Sequence, residues 1–330
     1  MIITRTPFRI SFAGGGSDLP SFYHRHEGCV LSTSIDKYMY ISVHPTFNRK
    51  LTNVKYSQTE SVEDVRRLKH PIARQLLLDY GISGIEINSV SDIPSGTGLS
   101  TSSAYTVGLI HALKAFSGKY ASQEKIAAEA CRIEIEELGE PIGKQDQYGT
   151  AVGGLKFIRF MPDDTVEVEP VIIDKSTKFR LSRNLLLFYT GITHSAGAVL
   201  REQNANMSNS EEKFHNMVHM AALAREMRET LIYGDLTRFG EILHENWILK
   251  REMAGSISSD LIDRYYDIAI SAGASGGKLL GAGGGGFFLF YCEPERQLRL
   301  RSALSDLMEL PFSMEPGGTK VIYVGDKNWD

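Results

Sequence analysis

The stretch Pro94-Ser-Gly-Thr-Gly-Leu-Ser-Thr-Ser-Ser-Ala104 constrains this chain more than any other. Gly96 and Gly98 let the backbone turn sharply and approach a ligand without side-chain obstruction. Four hydroxyl residues, Ser100, Thr101, Ser102 and Ser103, then stand where the apolar run 104–116 predicts a helix. The first amides of a helix lack partners within it, and the helix dipole is positive at that end. Free amides, hydroxyls and dipole together suit an anion such as a nucleotide's phosphates. Pro94, Gly96, Thr97, Gly98, Leu99, Ser100, Thr101, Ser102 and Ser103 are therefore the candidate nucleotide-binding residues, although the same residues could form an ordinary loop with a serine cap. The pattern GxxxxGK[ST] occurs nowhere; at its nearest approach, Gly277-Lys278, Leu279 follows and Ala272 stands where the first glycine belongs.

Around this loop, strands are predicted at 2–4, 8–12, 38–43, 84–90, 185–189, 287–291 and 320–324. Helices are predicted at 61–80, 104–116, 122–138 with Ser122 as cap, 196–231, twice between 236 and 272, and at 294–308. Without regular βαβ alternation the class is α+β rather than a doubly wound sheet. A length of 330 residues suits two domains. The polar stretch holding Asp163, Asp164, Lys175, Ser176 and Arg183 places the boundary near 165–183, giving domains 1–172 and 173–330.

Two carboxylates stand out. Ile126, Ala130, Glu134 and Leu138 share one helical row, so Glu134 points with the apolar stripe. A carboxylate aimed at a core needs a cation or hydrogen bonds, which makes Glu134 either a metal ligand or one half of a salt bridge. Twelve residues later Asp146 lies in the predicted polar loop 139–147, flanked by Gln145 and Gln147. It could be a general base reaching a substrate hydroxyl, or a solvated loop aspartate.

Other signals narrow the function. A net charge of −4 leaves no basic excess for nucleic acid. Arg5, Pro7 and Arg9 interrupt what would be a signal peptide's apolar core, and no apolar run approaches the ~20 residues that span a bilayer. Cys29, Cys131 and Cys292 form no CxxC pair, as expected of buried thiols in a cytoplasmic protein. Gly281, Gly283 and Gly286 fit the dinucleotide pattern GxGxxG, but the strand-like run after them argues against an NAD-dependent oxidoreductase. His215 and His219 have a zinc-compatible spacing without a third ligand, and His24 and His26 read as surface.

Taken together, these segments resemble the GHMP kinases, the family of galactokinase, homoserine kinase and mevalonate kinase. Thr6-Pro-Phe-Arg-Ile-Ser-Phe-Ala-Gly-Gly-Gly-Ser-Asp18 places Arg9 and Asp18 where the family's first motif has its arginine and, in sugar kinases, a sugar-binding aspartate. The second motif, P-x-G-x-G-L-[GS]-[ST]-S, begins at Pro94. The third, G-A-G-x-G-G, is Gly281-Ala-Gly-Gly-Gly-Gly286. The spacing of Glu134 and Asp146 equals that of the metal-ligand and catalytic carboxylates of galactokinases. The motifs span 6–286, nearly the whole chain.

The resemblance implies a two-domain fold, with an N-terminal domain like ribosomal protein S5 domain 2 and a ferredoxin-like C-terminal domain. It implies ATP and Mg²⁺ as cofactors, with Ser102 and Glu134 holding the metal. Asp146 would be the catalytic base, and Arg9 would lie beside it and neutralise charge on the phosphoryl group. Gly15, Gly16, Ser17, Asp18, Gly283, Gly284 and Gly285 would line the substrate pocket. Galactokinases carry a glutamate and a histidine where this chain has Gly15 and Gly16, which argues against galactose. The forms FAGGGSDLP, GKQDQYG and GGKLLGAGGGGFF are most similar to the D-glycero-D-manno-heptose 7-phosphate kinases, with L-fucokinase-type enzymes sharing much of them. That likeness implies phosphorylation of the C1 hydroxyl to a 1,7-bisphosphate. The alternatives are another sugar-1-kinase, a decarboxylase of the superfamily, or a non-catalytic binding protein that keeps the fold. Expected partners are a sugar phosphate and ATP, neither nucleic acid nor membrane, with a homodimer left open. Arg25, Lys144 and Arg201 are candidates for a distal phosphate grip.

Overall fold

The computed structural model describes residues 1–193 and 196–325. The chain begins β1 (Ile2–Ala13), α1 (Pro20–Tyr23), β2 (Gly28–Pro45), β3 (Thr52–Lys55), β4 (Thr59–Val62), α2 (Pro71–Tyr80), β5 (Ile85–Ser91), α3 (Thr101–Phe116) and α4 (Gln123–Cys131). It continues α5 (Gln145–Ala151), β6 (Leu155–Phe160), β7 (Val166–Pro170), α6 (Lys175–Asn184), β8 (Leu185–Tyr189), α7 (Ala196–Asn209), α8 (Glu211–Tyr233) and α9 (Leu236–Arg251). It closes with α10 (Asp260–Ser271), β9 (Gly276–Leu279), β10 (Phe287–Tyr291), α11 (Pro294–Ala303), β11 (Met308–Glu309) and β12 (Lys320–Val324).

Two sheets organise these elements in the α+β manner. In the first, β12-β1-β2-β5-β3-β4 lie side by side, with β6 paired to the first part of β2 and β7 to β6. The second is the antiparallel set β11-β8-β10-β9. The strands predicted at 2–4 and 8–12 are one strand, because Pro7 sits where the β1–β2 register shifts and its missing amide breaks nothing. Phe8, Ile10 and Phe12 are fully buried on one face of β1, and Arg9 and Ser11 are buried on the other. That second face is therefore a buried polar surface.

The helix expected at 61–80 starts only at Pro71, a residue favoured in the first turn, with the His70 ring accepting from the Ala73 amide. Residues 59–62 form β4 instead. The span 196–231 is two helices, broken where Ser210 caps α8. Residues 145–151, expected to begin in a loop, form α5. Its cap is supplied from afar: the Asp18 carboxylate accepts from the Gln145 amide at 3.1 Å. The helix expected at 122–138 starts at the predicted Ser122 cap but leaves α-geometry after Cys131, continuing as a π-helical turn, Arg132–Glu137.

Candidate active site

Asp146 stands in the first turn of α5 and Arg9 in the middle of β1. The two form a salt bridge in which Arg9 Nε and Nη2 donate to Asp146 Oδ1 at 2.9 and 2.6 Å. Both bonds go to the same oxygen. Among the described residues Oδ2 accepts none, and 31% of the Asp146 side chain is exposed, against 2% for Arg9. A carboxylate held rigidly by one oxygen and open at the other can receive a proton from a hydroxyl. Arg9 Nη1 also donates to the Gly98 carbonyl at 3.1 Å. One guanidinium thus ties the acid to the first glycine loop.

Glu134, only 1% exposed, lies in the π-helical turn after α4, a geometry that recurs at functional sites. Its Oε1 accepts from Ser102 Oγ at 2.9 Å, and its Oε2 from Ser103 Oγ at 2.9 Å and Gln147 Nε2 at 2.7 Å. Every donor is neutral. Burial pushes this carboxyl above its usual range, with the bonds from Gln147, Ser102 and Ser103 pulling the other way. No cation forms an ion pair with it among the described residues, which removes the salt-bridge reading. Gln147 Oε1 is buried without a partner. Ser102 and Glu134 oxygens touching each other, with an orphaned oxygen on the adjoining amide, fit a hard divalent cation such as Mg²⁺. No cluster of three or more His, Cys, Asp or Glu side chains could hold a metal alone among the described residues. Such an ion would need oxygens from a second source, as Mg²⁺ takes from nucleotide phosphates.

The loop 94–100 enters α3 through Ser100, whose φ of 66° is left-handed, a strained state for a residue with a side chain. Its hydroxyl is buried and unpartnered. Ser100→Gly is expected to stabilise the ligand-free protein by up to about 1 kcal/mol, the relief of strain exceeding the glycine's entropy cost. A thermal melt checks this, and a lower midpoint would mean that the hydroxyl makes a structural bond. Thr97 Oγ1 donates to the Pro94 carbonyl at 3.0 Å and closes the loop on itself.

The second glycine loop lies against the first. A Cβ on Gly98 would meet the Leu280 carbonyl oxygen at 2.5 Å, and one on Gly281 would meet the Gly98 Cα at 2.6 Å. The two loops meet backbone to backbone, which only glycine allows. Farther along, the Gly284 amide donates to the Ile257 carbonyl at 2.7 Å, and Gly286 leads into β10. The glycine run feeds a strand and not a helix, so the dinucleotide pattern is not used here.

Asp18 is 2% exposed and accepts from the Gly16 amide and Gln145 Nε2 on one oxygen, and from the Gln145 amide on the other. Burial, then the nearby Asp146 charge, pushes its carboxyl up. Asp18 therefore joins the Gly15–Gly16 turn to Gln145, the residue beside Asp146. Ser17 is buried and exchanges hydrogen bonds with the backbone of Cys29, so its hydroxyl holds the turn's shape.

The side chains of the other candidates are engaged elsewhere or exposed, although the Lys144 amide donates to the Asp18 carbonyl at 3.4 Å. Lys144 and His24 are engaged with Asp164, at 2.8 and 3.2 Å. Arg25 pairs with Glu211 and covers the Phe214 ring, and Arg201 is exposed. His215 bonds its own helix at the Glu211 carbonyl. Missed in the sequence were two buried lysines, Lys250 in the last turn of α9 and Lys278 in β9. The signal was present: Asn246 and Lys250 continue the inward row of α9 at i, i+4 spacing, the pattern that singled out Glu134.

The family model described as GHMP kinases N terminal domain matches residues 66–154, and the one for GHMP kinases C terminal matches 220–310. The chain belongs to the GHMP kinases, and within them it is a sugar kinase, a phosphotransferase with an alcohol group as acceptor. It is similar to a D-glycero-alpha-D-manno-heptose 7-phosphate kinase from Campylobacter jejuni, at 30% identity over 316 residues, covering 92% of this chain and 93% of the relative. A bifunctional fucokinase/GDP-fucose pyrophosphorylase from Arabidopsis thaliana is 28% identical over 92% of this chain, which spans 31% of that longer protein. Among solved structures, a D-glycero-D-manno-heptose 1-phosphate kinase from Bacteroides thetaiotaomicron superposes with a TM-score of 0.81 at 24% identity, covering 99% of this chain and 100% of that one. At that identity the last likeness bears on the fold alone. No helix among the described residues is long and apolar enough to cross a membrane.

Proposed function

We propose that this kinase transfers the γ-phosphoryl group of ATP to the anomeric C1 hydroxyl of D-glycero-D-manno-heptose 7-phosphate, in the cytoplasm. The observation that carries the reading is the Arg9 guanidinium, which binds one oxygen of Asp146 and the Gly98 carbonyl at once. It thereby sets an acceptor for the sugar's proton beside the loop that suits the nucleotide. The similarity to the Campylobacter kinase supports the choice of sugar.

In this reading the sugar hydroxyl approaches Asp146 Oδ2, and the carboxylate takes or orients its proton as the oxygen attacks. An anomeric hydroxyl is more acidic than an ordinary alcohol, so a weak base suffices. Arg9 stays fixed by β1 and offsets the charge spreading over the phosphoryl oxygens. The amides of 96–103 and the start of α3 hold the nucleotide's phosphates. Ser102 and Glu134 would hold Mg²⁺, which supplies charge neutralisation to those phosphates. Gly15, Gly16, Ser17 and Asp18 line the sugar side, and Gly283, Gly284 and Gly285 close the site from the C-terminal domain, taken in this reading as 173–330.

The experiment is ATP turnover against D-glycero-D-manno-heptose 7-phosphate, L-fucose, galactose and mannose, with the product read by phosphorus NMR. Turnover on the heptose phosphate with a new C1 phosphate is the expected result. Turnover on fucose alone would replace the substrate by the one suggested by the fucokinase likeness.

A further inference from the structure

Beside the Gly14–Gly16 turn lies a group of buried donors that the reaction above does not use. Lys250 Nζ donates to Gln203 Oε1 at 2.6 Å, its one hydrogen bond among the described residues. Lys278 Nζ reaches only the Phe12 carbonyl at 3.3 Å and Ser11 Oγ at 3.5 Å. Neither ammonium is in an ion pair among the described residues, although both are at least 95% buried. Gln203 Nε2 and Asn246 Nδ2 are fully buried and have no partner, while Asn246 Oδ1 accepts from the Gly14 amide. Cations without counter-ions and amide donors without acceptors are costly in an interior, and an oxyanion is the ligand whose chemistry suits both.

The turn is built to let these groups close in. Gly16 has a φ of 106°, and a Cβ there would meet Met217 Cε at 2.8 Å and Gln203 Nε2 closer still. Two routes lead from this cluster to the reacting centre. Contacts run from Lys250 through Gln203, Gly16 and Asp18 to Gln145, the residue next to Asp146. Along β1, Ser11 shares a face with Arg9 two residues away, about 7 Å. That offset suits the tail of a sugar whose reacting hydroxyl is at Asp146.

We propose that Lys250 and Lys278, with Gln203 and Asn246, seat the phosphate that a phosphorylated sugar carries at the end remote from its reacting hydroxyl. The assignment rests on the kinase reading above and adds the residues that make a phosphorylated sugar the substrate. Burial, with the charges of Lys250 and Arg9, lowers the Lys278 ammonium to about 7, and burial, opposed by the Asp18 carboxylate, lowers the Lys250 ammonium to about 8. A bound dianion returns both to the charged form, so the seat takes up protons as it fills and weakens as pH rises above about 7, more steeply above about 8.

The test uses the full chain and one sugar in two forms, D-glycero-D-manno-heptose with and without its 7-phosphate, and reads the ratio of their kcat/KM values. The wild type is expected to favour the phosphorylated form. Lys250→Gln and Lys278→Gln should each lower that ratio about 30-fold, mostly through KM, the loss expected for a hydrogen bond to a charged group. Inorganic phosphate should compete with the heptose phosphate in the wild type, with proton uptake in calorimetry at pH 8. An unchanged ratio in both variants overturns the proposal, as does a rise in KM for ATP in place of the sugar. If a variant fails to fold, the wild-type phosphate titration decides: competition with proton uptake supports the seat, and its absence overturns it. A wild type that turns over only unphosphorylated sugar overturns the seat and leaves the kinase standing. An active Asp146→Asn overturns the base and leaves the ratio readable.

Discussion

Asp146→Asn is expected to lower kcat about 10³-fold, within the range for loss of a general base, while the chain stays folded and still binds ATP. Asparagine keeps the size and the first-turn position in α5 but cannot accept a hydroxyl proton at neutral pH. Arg9 loses its ionic partner and keeps the Gly98 carbonyl. Because the aspartate is about one-third exposed, the stability cost is on the order of 1–2 kcal/mol, below the 3–5 typical of a fully buried pair. Steady-state kinetics, circular dichroism and ATP calorimetry separate the two effects. A kcat loss below about tenfold would show that Asp146 orients the sugar and that the proton leaves by another route.

Glu134→Gln is expected to move activity and stability in opposite directions. The native carboxylate is buried among neutral donors, and burial disfavours its charged form. The amide fills the same volume without a charge, so the metal-free variant should be as stable as the wild type or more stable by about 1 kcal/mol. Activity should fall about 100-fold or more, the Mg²⁺ concentration for half-maximal rate should rise, and the thermal stabilisation by Mg-ATP should shrink. Melts with and without Mg-ATP, beside a Mg²⁺ titration of the rate, read all three. A variant that loses stability yet keeps its Mg²⁺ dependence would make Glu134 a structural carboxylate.

Much of this centre was legible because it depends on short-range pattern. The spacing of Gly96 and Gly98 ahead of four hydroxyl residues marks a loop opening a helix, and α3 begins at Thr101. The i, i+4 row of residues 126–138 placed Glu134 inward, and it stays inward although the helix leaves α-geometry beneath it. What escaped was decided by distant partners. Asp146 looked like a loop residue because the carboxylate that starts its helix belongs to Asp18, over a hundred residues earlier. The break at Ser210 and the late start at Pro71 follow local capping rules, but the polar periodicity around them masked both. Lys250 and Lys278 carry no motif. The inward row of α9 carried a sign of Lys250's burial, whereas that of Lys278 follows from β9 packing on α9 and from its ammonium reaching the Phe12 carbonyl of β1, which no single segment reveals.

The contact between Gly98 and Gly281 has a thermodynamic consequence. Backbone meets backbone there with no side chain to act as a cushion. A ligand that seats on the first loop and prefers it against the second must, by linkage, strengthen the packing of the two halves by the same free energy. For such a ligand the share of its affinity that depends on the second loop and the added cohesion of the molecule are two readings of one quantity, and a distant substitution that loosens the halves weakens its binding by up to that amount.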